Sequence, residues 1–314
     1  MVSFTQEERK QYIGGSDISV VMGMNRWKTP LKLWLEKTGE IEPDDLSKVE
    51  AVHFGTKLED IVAKEFAERN NLEVRQAPKM YTHKDYPFMA AHIDRIVTNS
   101  DALLECKTCS TFKDKEWDGN NIPQEYVLQV MWYLGITGRK KGYIACLVGG
   151  QKYIQKEIEF DQEMFDIMVQ RAIEFWDKVQ KNEPPEITAN DGETLALMFP
   201  KSSMEIIENV PPEIDEAIAR RQSLKQEQAD VEKELKEVET VIKDYIKGNL
   251  GLQTQKYIVT WKEYQGKETV DTAKLKNDGL FEKYKKIGKS YRMLKVTNNP
   301  EFQPIDVKGV NNGN

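Results

Sequence analysis

Cysteine is scarce in this chain, with three among 314 residues, at positions 106, 109 and 146. Three are too few for a disulfide framework, which points to a reduced, cytosolic setting. Cys106 and Cys109 form a single C-x-x-C, but a four-thiolate zinc or iron–sulfur site lacks its fourth cysteine. No iron–sulfur cluster is expected, and the pair reads as small residues beside a strand. Long apolar runs are missing as well, so no membrane span is expected. The opening MVSFTQEERKQY is polar too early to read as a secretory signal. Positive charge is not in excess: the formal net charge is −7, which at face value argues against a nucleic-acid partner.

The charge is unevenly spread, however. Residues 205–247 hold 12 acids and 7 bases, residues 248–314 hold 12 bases and 7 acids, and residues 1–204 carry the remaining −7. A carboxylate cluster awaiting a metal adds to such a negative count, and net charge does not exclude a local basic groove. With 39% hydrophobic and 31% charged residues, the chain has room for one large globular domain and an accessory one.

The pattern along the chain is mixed. TQEE at 5–8 has the form of a capping box, placing a helix start near Thr5 and its end at Gly14-Gly15. SDISVVMG reads as a short helix capped by Ser16 or Asp17. TPLKLWLEKTG has Pro30 in its first turn and Gly39 at its end. In VEAVHFGTKLEDIVAKEFAERNN, Leu58, Ile61, Val62 and Phe66 recur with a helical period. LEVRQAPKMYTH is extended. PQEYVLQVMWYLGITG is helical, with Val127, Val130, Met131 and Leu134 as its stripe. KGYIACLVGGQKYIQKEIEF predicts two strands around Gly149-Gly150, and QEMFDIMVQRAIEFWDKVQKNEPP a long amphipathic helix stopped by prolines. Helices on a mixed sheet make an α/β (α+β) domain of about two hundred residues.

Beyond a linker, positions 217, 221, 224, 228, 231, 235, 238, 242 and 245 follow a four–three spacing, a heptad seam on roughly 50 Å of helix. Its first half is polar, so a helical hairpin or a packed single helix competes with a coiled-coil dimer. The tail, YIVTWKEYQGKETV, a helix after Asp271 and SYRMLKV, reads as a small basic β-containing module.

MAAHIDRIVTNSDALLECKT at 89–108 reads as two short strands that carry acids where a core strand should carry valine: Asp94 in the first, Glu105 with Lys107 in the second. Side chains alternate along a strand, so Glu105 and Lys107 share a face, Cys106 takes the other, and Asp94 can lie beside them. Two close buried carboxylates repel, and a divalent cation relieves that. Asp94, Glu105 and the Cys106 carbonyl offer hard oxygens suited to Mg²⁺ or Mn²⁺. Lys107 would then orient or activate water, or steady the phosphorus under attack. A surface hairpin with weak ion pairs is the other reading of D-x(10)-E-x-K.

Five spaced motifs, IGGSD at 13–17, FGTKLEDIV at 54–62, HIDRIV at 92–97, LLECKT at 103–108 and PQEYVLQVMWYL at 123–134, resemble the PD-(D/E)XK nuclease superfamily. Within it they resemble the lambda-exonuclease and YqaJ-type viral recombinases. Ile93 stands where the family name has proline. The resemblance implies a restriction-endonuclease-like mixed central sheet flanked by helices. It makes Glu59 an additional helical acid supporting the metals directly or through water, and Gln129 a site contact with Tyr133 as its packing neighbour. Ser16 and the amides after Gly14-Gly15 would lie at a helix N-terminus, a ready anion site. The resemblance adds Arg9 and Lys113 to Ser16 as a 5′-phosphate pocket.

The expected organisation is a nuclease domain at 1–190, a linker at 191–212, a long helix at 213–247 and a small module at 248–314. The expected activity is Mg²⁺-dependent 5′→3′ exonuclease digestion of linear double-stranded DNA from 5′-phosphorylated ends. The product strand would pass to a single-strand annealing protein in phage or prophage recombination, and the precedent is a homo-oligomer, a trimer. The alternatives are an endonuclease or repair nuclease with the same metal site, and a non-catalytic DNA-binding or oligomerisation protein.

Overall fold

A computed structural model describes residues 6–77, 80–203, 205–266, 268–286, 288 and 293–296. The expected helix start at Thr5 and residues 290–292 of the SYRMLKV segment lie outside the described residues. The chain divides into two compact units, Met1–Met198 and Phe199–Asn314.

The first unit is built on a five-stranded mixed sheet in the order β1 (Val74–Gln76), β4 (Arg95–Val97), β5 (Ala102–Cys109), β6 (Lys141–Val148), β7 (Lys152–Glu159). Strand β5 runs antiparallel to β4 and parallel to β6; the other two pairings are antiparallel. The parallel step needs a crossover, and α5 (Gln124–Thr137) lies within it, preceded by a 3₁₀ helix at Thr111–Trp117. The β6–β7 hairpin turns through residues 149–151, with Gly149 and Gly150 both at positive φ, backbone that glycine adopts without steric cost. Two short strands, β2 (Tyr81–Thr82) and β3 (Ala90–Ala91), pair separately.

Alternation along β5 divides the core. Leu103 faces the larger apolar cluster with α2 (Gly15–Val21), α3 (Pro30–Thr38), α5 and α6 (Gln162–Lys181), while Ala102 and Leu104 face Val62, Ala63 and Phe66 of α4 (Glu50–Asn70). The helices carry the capping chemistry that fixes their ends. Thr29 Oγ1 accepts from Lys32 N at 3.2 Å before Pro30, and Gly39 closes α3 at φ 80°. Asp161 Oδ1 accepts from Met164 N at 3.0 Å to start α6, which ends at Asn182 ahead of the prolines.

Three expectations shift. Helix α2 is capped at Gly14, two residues before Ser16 and three before Asp17; Asp17 sits in the first turn, where it accepts from Gly14 N at 3.1 Å. Asp94 lies at a bend just before β4 rather than within a strand. The first unit also extends past 190, because α7 (Gly192–Met198) packs onto it: Asp191 and Thr194 are buried, and Met198 joins the larger core. Cys106 and Cys109, three apart on one strand, project to opposite faces, and Cys109 Sγ lies 3.6 Å from Cys146 Sγ.

In the second unit, α8 runs Pro212–Ile246 and is followed by the hairpin β8 (Gly251–Gln253) and β9 (Ile258–Thr260). Helix α9 (Thr272–Asn277) is capped by Asp271, whose Oδ1 accepts from Lys274 N at 3.0 Å; α10 spans Phe281–Tyr284. Among the described residues no helix is long and apolar enough to cross a membrane.

Candidate active site

The β4–β5 register pairs Arg95 with Leu104 and Ile96 with Leu103. The bend at Asp94 just before β4 brings that residue alongside the Glu105–Cys106 stretch of β5. The Cys106 amide donates to Asp94 Oδ2 at 2.8 Å, fixing that carboxylate against β5. A residue's N–H and C=O leave a strand on the same edge, so the Cys106 carbonyl projects towards Asp94 as well.

Glu105 is buried, with 2% of its surface exposed. Its Oε1 accepts from Lys107 Nζ at 2.5 Å and from Gln129 Nε2 at 2.7 Å. Gln129 Oε1 accepts from the same Lys107 ammonium at 3.0 Å, and Gln129 Nε2 also reaches Tyr133 Oη at 2.8 Å. Residues 129 and 133 are one helical turn apart, so one face of α5 supplies both. Tyr126, on the same helix, places its ring 4.8 Å beneath the Lys107 ammonium.

The electrostatics follow from packing like charges out of water. Burial pushes the Asp94 carboxyl up to about 7, and Glu105 adds to the push against the opposing pull of Lys107. Glu105 is raised for the same first reason, burial, with Lys107 opposing. Burial would lower the Lys107 ammonium, but Glu105 and Asp94 hold it up, to about 12. Glu105 Oε2 is buried with no hydrogen-bond partner. A buried carboxylate oxygen without a donor is costly, and its neighbour is a second carboxylate.

That donor set fits a hard divalent cation. It offers two carboxylates and a strand-edge carbonyl, one carboxylate oxygen lacks any partner, and Mg²⁺ is commonly held by one or two carboxylates and water. Among the described residues no three acidic, histidine or cysteine side chains cluster as a ready-made metal cage. Glu59 comes from α4, on the opposite face of the sheet, and is engaged elsewhere: Arg95 Nη1 donates to Glu59 Oε1 at 2.6 Å and to the Asp94 carbonyl at 2.7 Å. Burial first, then Asp94, raises the Glu59 carboxyl against that pairing.

The three residues expected to form a phosphate pocket are not joined: among the described residues no hydrogen bond or ion pair links Arg9, Ser16 and Lys113. Arg9 and Ser16 are exposed, on α1 (Gln6–Lys10) and in the first turn of α2. Lys113 lies on the 3₁₀ helix with its ammonium 5.0 Å from the Trp27 ring centre.

Sequence reasoning passed over three supporting residues. Arg95, 6% exposed, ties β4 to α4 through Glu59 and Asp60. Lys37, from α3, donates to the carbonyls of Arg9 and Tyr12, both at 2.6 Å, and to Asp17 Oδ2 at 2.8 Å, pinning the IGGSD segment. Gly15 lies so close to Tyr133 that a Cβ there would fall 2.3 Å from the ring. Only the glycine pair hinted at close backbone approach; a single lysine or arginine in a helix or strand gives no such signal.

The fold and this cluster define an α/β protein with a carboxylate–lysine site at one end of a mixed sheet. Residues 6–140 match the model of the YqaJ-like viral recombinase domain. The chain is 40% identical over 294 residues to the uncharacterized protein YqaJ of Bacillus subtilis (strain 168), covering 89% of each. The chain belongs to the YqaJ-like viral recombinase family. Among solved structures it is similar to the alkaline exonuclease LHK-Exo of Laribacter hongkongensis in complex with dAMP. That match has 17% identity and a TM-score of 0.49, over 62% of this chain and 97% of that one. A phage-related exonuclease from Haemophilus somnus 129PT matches at 12% identity and a TM-score of 0.42, over 55% and 96%. Family and site together support a nuclease.

Proposed function

We propose that the chain is a metal-dependent 5′→3′ exonuclease of phage or prophage type. It digests linear double-stranded DNA from 5′-phosphorylated ends, releases 5′-mononucleotides and leaves a 3′ single strand for an annealing protein. The observation that carries this reading is the placement of Asp94 beside Glu105, with Glu105 Oε2 buried and unpartnered. Asp94, Glu105 and the Cys106 carbonyl would hold the cation, Mg²⁺ with Mn²⁺ as substitute, and Glu59 would support it through water. A bound divalent cation supplies Lewis acidity and neutralises charge at the scissile phosphate.

The remaining chemistry belongs to the chain. Lys107, held protonated at neutral pH, is a donor rather than a base. It steadies negative charge that grows on the phosphoryl oxygens as water attacks in line. Gln129 fixes the ammonium and the Glu105 carboxylate in one geometry, so neither reorganises during attack. Arg9, Ser16 and Lys113 would engage the terminal phosphate when DNA is bound. Homo-oligomeric assembly and an annealing partner are the further expectations of this reading, with residues from about 213 onward as a separable accessory part.

The test is a gel assay with 5′-phosphorylated linear, 5′-hydroxyl linear and closed circular duplex, each with Mg²⁺, Mn²⁺ or EDTA. The reading requires metal-dependent loss of the phosphorylated linear duplex, slower loss of the hydroxyl form and an intact circle. Cleavage of the circle would make the protein an endonuclease, and no cleavage of any substrate would make it a binding protein.

A further inference from the structure

Outside the carboxylate cluster, the first unit carries exposed aromatic rings around Lys113 that the site as described does not use. Trp27 is 58% exposed and Phe112 is 96% exposed. Trp27 lies under two cations, the Arg26 guanidinium 5.1 Å and the Lys113 ammonium 5.0 Å from its ring centre, and Phe112 precedes Lys113 in the chain. The turn that presents Trp27 is held in place. Asn25 Oδ1 accepts from the amides of Trp27 at 2.9 Å and Lys28 at 3.0 Å, while Asn25 Nδ2 donates to Ser19 Oγ at 3.0 Å.

The surface is mechanically tied to the catalytic lysine. Arg26 pairs with Glu116 of the 3₁₀ helix at 2.8 Å and with the buried Glu125 of α5 at 2.9 Å. The next residue, Tyr126, stacks on Trp117 with ring centres 5.9 Å apart and lies under Lys107. Glu116 and Glu125 neutralise Arg26. Among the described residues no ion pair holds Lys113, which leaves its charge for an anion.

We propose that Trp27 and Lys113 form a nucleotide subsite beside the carboxylate cluster, in which an unpaired DNA base stacks on the indole while its phosphate meets the ammonium. The proposal rests on the nuclease reading and names how that site holds its single-stranded segment. The two cations lie over the Trp27 ring, and an incoming base takes the indole face as the Lys113 ammonium moves onto the adjoining phosphate, because every base has a π-face and its phosphate is anionic. A base inside a duplex shows no free face, so the ligand is single-stranded or frayed.

The experiment measures anisotropy of dye-labelled, 5′-phosphorylated dT12 in EDTA, where no hydrolysis occurs, against the same oligomer made entirely of abasic units. Trp27→Leu should weaken dT12 binding by about tenfold, the loss of one stacked base, and leave the abasic oligomer unchanged. Trp27→Phe should stay within about threefold of wild type, since a ring remains to stack. Lys113→Gln should weaken both oligomers alike. Equal binding of dT12 by wild type and Trp27→Leu would overturn the subsite, as would an equal loss on both oligomers. Unchanged melting temperatures confirm that the exposed substitutions leave the fold alone. Hydrolysis with Mg²⁺ is read separately, so a failed nuclease reading shows as intact DNA whatever the base preference.

Discussion

The Gln129 side-chain amide and the Tyr133 hydroxyl lie 2.8 Å apart, and through that bond a buried tyrosine aims one glutamine at both Glu105 and Lys107. Gly15 lies against the Tyr133 ring, so the chain of positioning runs from α2 through α5 to the carboxylates. Tyr133→Phe removes the bond and keeps the packing. It should lower kcat by about tenfold, the worth of one hydrogen bond near 1.4 kcal/mol, with KM and melting temperature nearly unchanged. A variant with wild-type kcat would show that Gln129 holds its pose without the tyrosine.

Gly15→Ala tests the other end of that chain. The added methyl must push the Tyr133 ring, which is enclosed in the core, so overpacking of about 1–3 kcal/mol is expected. Thermal melting and turnover should both fall. A melt equal to wild type would mean that α2 shifts freely away from α5.

Lys37 and Asp17 make a pH-dependent contribution. Burial pushes the Asp17 carboxyl up, but Lys37 and the Gly14 amide pull it further, to below the usual carboxylate range. An acid with a lowered folded value stabilises the fold above its ordinary value, about 3.9, and loses that stabilisation as pH falls through the lowered one. Lys37→Met strands a charge that is mostly enclosed, with Lys37 5% and Asp17 18% exposed, so a loss of about 3–5 kcal/mol is expected at pH 7. The gap to wild type should narrow below about pH 4, as Asp17 becomes protonated in both proteins. Denaturant melts across that range measure it, and a pH-independent gap would contradict the assignment.

The second unit should be removable, but only beyond α7. A chain ending at Met198 should stay folded, because the first unit is compact to that residue. A chain ending at Pro185 loses Asp191, whose Oδ2 accepts from the Thr188 amide and hydroxyl, both at 2.7 Å, together with α7. It should melt lower. Equal melting of the two would place α7 outside the nuclease core.

Much of the site was legible because its spacing is local. Alternation puts Glu105 and Lys107 on one face, the hairpin brings Asp94 against β5 at the Cys106 amide, and a four-residue interval stacks Gln129 with Tyr133. The heptad spacing likewise marked a long helix, observed at Pro212–Ile246. What stayed hidden joins distant elements. Arg95 diverts Glu59 from across the sheet, and Lys37 reaches Asp17 from another helix. Neither partner is marked by any period, since one ionic residue looks alike whether it is solvated or buried. The cap of α2 was misread for a related reason: serine and aspartate are strong N-caps, but the preceding glycine left Asp17 free to bond back from the first turn.

The central claim is that Asp94 and Glu105 together hold the catalytic cation. Glu105→Gln and Asp94→Asn preserve shape and remove charge, so both should fold as well as wild type. Isothermal titration with Mg²⁺ or Mn²⁺, run alongside initial rates on 5′-phosphorylated duplex, measures the claim directly. The account predicts that each variant loses both metal binding and hydrolysis, while Lys107→Met keeps the metal and loses about two to three orders of magnitude in rate, as for removal of one charge-stabilising donor. Near wild-type turnover in either acid variant would contradict it.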